Sequence, residues 1–207
     1  MHAQRGNPFD TDELLHLAIR ATDNNQTDKA IEYLKQILDM EPKNGTALYF
    51  LGAVHAGLGM YERAVADMST AMALNPNLPP TAPFQLGLLY MTMQRVDEAR
   101  QTWSALDDLG EQDPLFLFKR GMLHLAEDQF DECISDLQQG ISLNEAHEHL
   151  NRDMQGIIER AEAARAEGNG AASPTPLDVS KGDSGSTKKN SRSLLSAYER
   201  GQEDGDL

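Results

Sequence analysis

Six histidines and one cysteine are the side chains of this chain best suited to proton transfer, metal ligation or thiol chemistry near neutral pH. His147 and His149 stand two residues apart, a spacing that keeps them from facing each other on a helix, so they do not form a metal pair. His55 and His124 share a column of an internal alignment whose third member is Tyr90, and they read as packing residues between paired helices. Cys133 stands where the other copies carry alanine, which predicts a buried, inert thiol, and a lone cysteine excludes an intramolecular disulfide framework. No Gly-rich phosphate loop, nucleophile elbow or metal-ligand spacing is present. The expectation is a protein that is not an enzyme and uses no cofactor and no metal.

The alignment that groups these residues comes from a repeat. NQTDKAIEYLKQILDMEPK (25–43) is followed 34 residues later by GMYERAVADMSTAMALNPN (59–77). A third copy, QRVDEARQTWSALDDLGEQ (94–112), is offset by 35, and a fourth, DQFDECISDLQQGISLNEA (128–146), by 34. One column reads Ala30, Ala64, Ala99, Cys133, and the column four residues on reads Leu34, Met68, Trp103, Leu137. A small residue followed one turn later by a bulky one lets two helices approach and interlock. Each copy is preceded by a second helical stretch in which Gly52, Gly87 and Gly121 share a column with Ala18. Mid-helix glycine costs roughly 1 kcal/mol relative to alanine, so its recurrence predicts a backbone pressed against a neighbouring helix. Each unit is therefore a helical hairpin.

Composition shifts near the end. Residues 168–191, GNGAASPTPLDVSKGDSGSTKKNS, have almost no large apolar side chains, which predicts disorder. Within the tail, SRSLLSAYERGQ (191–202) places Leu194, Leu195 and Tyr198 on one short helical face with Ser193 as N-cap. Such a segment docks in its own groove, in a neighbour's or on another protein, or is idle. Before the tail, Leu150, Met154, Ile157, Ile158, Ala161 and Ala164 fall on one helical face, opposite Arg152, Gln155, Glu159, Glu162 and Arg165, which suits an end cap.

The net charge is −15, carried by residues before 168 with 27 acidic against 13 basic side chains. A surface of that sign repels phosphate backbones and anionic lipid, so the partners expected exclude nucleic acid and membrane. The N-terminus lacks an apolar run of signal-peptide type and no stretch approaches a membrane span, which predicts a cytoplasmic protein.

The 34-residue hairpin with Leu48, Leu51, Gly52, His55, Ala64, Met68, Ala71 and Pro76 in the second copy, and Leu86, Gly87, Tyr90, Ala99, Trp103 and Leu106 in the third, resembles the tetratricopeptide repeat. The third copy lacks the closing proline, and the fourth has Arg120 in a leucine column. The resemblance covers about residues 11–145 and implies an all-α fold, a right-handed superhelix of about four antiparallel hairpins. With the flanking segments, the organisation expected is an N-terminal arm (1–10), hairpins at about 11–44, 45–79, 80–113 and 114–145, a capping helix (146–167), and a disordered tail (168–207) with a short binding helix at 193–200.

In that family the first helix of each hairpin lines a concave surface, chiefly through positions 2, 5, 9 and 12. Carried over, the fifth positions are Leu15, Tyr49, Phe84 and Phe118, the ninth Ile19, Ala53, Leu88 and Met122, and the twelfth include Met91 and Leu125. Relatives that clamp acidic chaperone tails use Lys, Arg and Asn at such places; none occurs among these residues. The resemblance thus implies a non-catalytic interaction module, an adaptor or assembly factor, whose groove takes a protein or peptide with apolar side chains. Self-association or tail docking would cover the same surface. The alternative is a cytoplasmic holding chaperone for a hydrophobic client, resembling the chaperones of type III secretion translocators.

Overall fold

One left-handed residue turns each hairpin. Asn25 (φ 57°), Gly59 (74°), Gln94 (60°) and Asp128 (57°) repeat at the sequence period, and three of the four have side chains that resist this conformation. After each, an amide reaches back five residues: Gln26 N–H donates to Ala21 O (2.7 Å), and Met60, Arg95 and Gln129 N–H donate to His55, Tyr90 and His124 O (2.9 Å each). This pattern satisfies carbonyls that a helix end leaves open, so the first helix stops and the second starts at a set angle.

The computed structural model describes residues 9–168. The described chain is helical and forms two compact units, one through Asn77 and one from Leu78. The first holds α1 (Thr11–Asp23), α2 (Thr27–Met40), α3 (Gly45–Gly57) and α4 (Tyr61–Leu74). The second holds α5 (Thr81–Thr92), α6 (Val96–Trp103) with a 3₁₀ continuation (Ser104–Leu109), α7 (Pro114–Ala126), α8 (Phe130–Leu143) and α9 (Glu148–Gly168). Consecutive helices pack as the pairs α1–α2, α3–α4, α5–α6 and α7–α8, and α9 lies on α8. The first helices carry side-chain caps where the sequence provides them: an Asp10–Glu13 capping box, Asn44 on the Ala47 amide, and Asp113 with Pro114 behind it.

The glycine and bulky columns meet inside each hairpin, sixteen residues apart. A Cβ on Gly52 would fall 2.7 Å from Met68 Cγ, one on Gly121 2.8 Å from Leu137 Cδ2, and one on Gly87 inside the Trp103 indole. Ala30, Ala64, Ala99 and Cys133 are fully buried beside them. The repeat period is thus a packing rule in which glycine makes room for the partner's large side chain.

Two endings differ from the period. After Trp103 the chain tightens into 3₁₀ geometry, and the Lys119 ammonium, itself buried, donates to Trp103 O at 3.4 Å and to the Asp107 carboxylate. After α8 the turn is closed by paired asparagines: Asn144 Nδ2 donates to Asn151 Oδ1 (2.7 Å), and Asn151 Nδ2 donates to Asn144 O (2.9 Å). That clasp stands where the second copy has proline. Beyond it, α9 buries Leu150, Met154, Ile157, Ile158 and Ala161 in the core of the second unit and exposes Arg152, Gln155, Glu159, Glu162 and Arg165. The expected arm lies, apart from Phe9 and Asp10, outside the described residues, as does the expected tail beyond Gly168 with its 193–200 segment.

Candidate functional site

The concave-side positions fall on α1, α3, α5 and α7, the first helices of the hairpins. In the first unit Ile19, Tyr49 and Ala53 are buried and Leu15 is half-buried. In the second, Phe84, Met91, Phe118, Met122 and Leu125 are buried and Leu88 is half-buried. Phe84 and Phe118 meet at 6.2 Å between ring centres, so α5 and α7 lie side by side. Phe84 also stacks on Trp103 at 5.9 Å, and its carbonyl accepts the indole N–H at 2.9 Å. Phe118 packs against Gly140 of α8.

This corrects the expectation of an open groove lined by all ten residues. Phe84 and Phe118 have no exposed surface, because they fill the space between the two helices of their own hairpins. A long aromatic at the fifth position reaches the second helix through a gap that glycine has opened. The expectation for Leu194, Leu195 and Tyr198 lies outside the described residues.

The histidine column does more than pack. His55 Nδ1 bonds Asp67 Oδ2 at 2.6 Å, linking α3 to α4. In the fourth hairpin Asp136 holds the matching place: Arg120 reaches both its oxygens at 2.7 and 2.6 Å, and His124 Nε2 lies 3.5 Å away. The hydrogen bond from Asp136 raises the Arg120 guanidinium further above its usual range. Reading columns singly missed these links; the signal was an aspartate twelve residues after each histidine. Arg120, out of place in a leucine column, is explained by the same carboxylate.

Cys133 is fully buried, and burial, with the nearby Asp136 charge second, pushes its thiol up to about 12. A thiol held protonated is a poor nucleophile and a poor metal ligand. Among the described residues no group of three His, Cys, Asp or Glu side chains is placed to hold a metal ion, and no helix is long and apolar enough to cross a membrane.

Residues 21–77 match a tetratricopeptide repeat model, and residues 116–147 match another. No curated protein matches the chain significantly. Solved structures do. A tetratricopeptide repeat protein from Parabacteroides merdae ATCC 43184 is similar over 93% of this chain and 86% of its own, with 20% identity and a TM-score of 0.59. MamA from Desulfovibrio magneticus RS-1 (41-end) is similar over 95% and 97%, with 16% identity and a TM-score of 0.56. YrrB, described as a TPR protein with an unusual peptide-binding site, is similar over 93% and 92%, with 16% identity and a TM-score of 0.53. At these identities the likeness is one of fold. The helical hairpins, the glycine-to-bulky packing between their helices and the two matched segments together place this chain in the tetratricopeptide repeat family.

Proposed function

We propose that this protein is a non-catalytic interaction module, an adaptor or assembly factor that holds a protein segment with apolar side chains against the first helices of its hairpins. One observation carries the reading. The groups suited to catalysis are already committed to holding helices together: His55 to Asp67, His124 and Arg120 to Asp136, Lys119 to Asp107, and Cys133 to the core. What remains for recognition is packing surface and charge. Leu15 in the first unit and Leu88 in the second are the predicted groove residues with side-chain surface left to offer. YrrB, similar in fold, is a peptide binder by its description, which is consistent with this use of the architecture.

The test follows from the burial. Substitution of Phe84 or Phe118 would disrupt the hairpin core, so the informative change is Leu88→Glu, paired with Leu15→Glu. Affinity capture with wild-type and double-variant protein, each checked for unchanged helicity by circular dichroism, should retain a protein with the first and lose at least about nine-tenths of it with the second, the effect of more than 1.4 kcal/mol. Equal retention by both sinks the reading. A captured secreted membrane-inserting client would favour the holding-chaperone alternative over an adaptor.

A further inference from the structure

The second unit presents one apolar stripe across two adjacent helices. Phe84, Leu88 and Met91 follow each other at helical spacing on α5, and Phe118, Met122 and Leu125 do so on α7, with the two phenylalanines meeting at the near end. The rim is thinly covered: Leu88 is half-buried, and Met91 and Leu125 are 8% and 9% exposed. The unit around the stripe, residues 78–168, carries seventeen Asp and Glu against seven Lys and Arg, a net of −10. A ligand for it needs aliphatic or aromatic side chains together with positive charge.

The chain itself contains such a ligand. Residues 188–200, KKNSRSLLSAYER, combine Leu194, Leu195 and Tyr198 with Lys188, Lys189, Arg192 and Arg200. From the end of α9 at Gly168 the intervening 24 residues span at most about 80 Å, several times the ~20 Å length of α7, so the segment reaches the stripe from the same molecule. An intramolecular ligand also has the advantage of concentration, since tethering sets it in the millimolar range for short linkers. We propose that residues 191–202 dock on the α5–α7 stripe of their own chain, with Leu194, Leu195 and Tyr198 on Leu88, Met91 and Leu125, and with the preceding basic run held by the acidic unit. The docked segment occupies the surface that a partner needs, so it sets the affinity of the module. This inference rests on the functional reading above.

The experiment uses the full chain. Amide hydrogen exchange over 81–92 and 114–126 is compared among wild type, the Leu194→Asp, Leu195→Asp, Tyr198→Asp variant, and the Lys188→Glu, Lys189→Glu, Arg192→Glu variant. Docking predicts exchange about tenfold faster in the first variant, a smaller rise in the second, and a wild type that approaches the second as salt screens the charges. Unchanged exchange in the first variant overturns the proposal. So does protection that grows with protein concentration, which assigns the stripe to a second copy. Partner capture with the same proteins separates the two readings: capture that depends on Leu88 with unchanged exchange leaves the module and removes the docking, whereas raised exchange with no capture does the reverse.

Discussion

The second and third hairpins solve the same packing problem with different residues. In the second, Gly52 faces Met68, the left-handed turn residue is Gly59, and α4 runs fourteen residues to Leu74 before Pro76. In the third, Gly87 faces Trp103, the turn residue is Gln94, and α6 lasts eight residues before giving way to 3₁₀ geometry. An indole is larger than a thioether and has a donor to satisfy, which Phe84 O accepts. The change is absorbed at the end of the second helix, where Lys119 bonds the Trp103 carbonyl. A repeat thus tolerates a bulkier core residue if a neighbour takes over the backbone groups that the altered helix end sets free.

The largest effect that bears on this comparison is at the glycines. Gly87→Ala should destabilise by about 3 kcal/mol, because a rigid buried indole cannot move aside. Gly52→Ala should cost less than about 1.5 kcal/mol, since the flexible Met68 can turn away and alanine recovers helix propensity. Urea denaturation of both decides it, and equal costs would break the contrast. To sharpen it, Trp103→Met is combined with Gly87→Ala. The double variant should be less destabilised than the sum of the singles by at least about 1 kcal/mol, as expected for residues in direct contact.

A smaller effect is expected at the altered helix end. Lys119→Met should cost about 1 kcal/mol, since Asp107 is 61% exposed at its side chain and water replaces the lost partner, while Trp103 O loses a donor. Hydrogen exchange over 104–109 should quicken; unchanged rates would remove the lysine from the account.

The turn residues give opposite signs. Gln94→Gly should stabilise by about 0.5–1 kcal/mol by relieving a left-handed glutamine, and Gly59→Ala should destabilise by about 1 kcal/mol. Thermal denaturation measures both, and a shared sign would show that the two turns are not equivalent.

The smallest effect is on reactivity. With its thiol raised to about 12, Cys133 is protonated at pH 8 and folding removes it from solvent, so a disulfide reagent should modify it only after urea is added. Stoichiometric modification of the native protein would place it outside the core.

Much of the fold was legible because its signals are local and repeated. A 34-residue period, a glycine column and an alanine column one turn before a bulky one all report contacts within a single hairpin. The site was less so. The fifth position of a first helix lies on the same side as the ninth and twelfth, but whether its side chain points out or inserts into the hairpin depends on its size and on the gap opposite. Phe84 and Phe118 insert. The His–Asp links are equally tertiary, since the partners lie on different helices and neither column alone requires the other.

What the sequence determined by itself is the unit: helix, left-handed turn, helix, with small residues where two backbones approach, because those requirements are steric and recur at fixed spacing. What only the tertiary structure decided is which apolar side chains remain for a partner and which polar ones are spent on the frame. Exposure is a property of neighbours, and Leu88 differs from Phe84 not in hydrophobicity but in having no glycine-lined gap to fill.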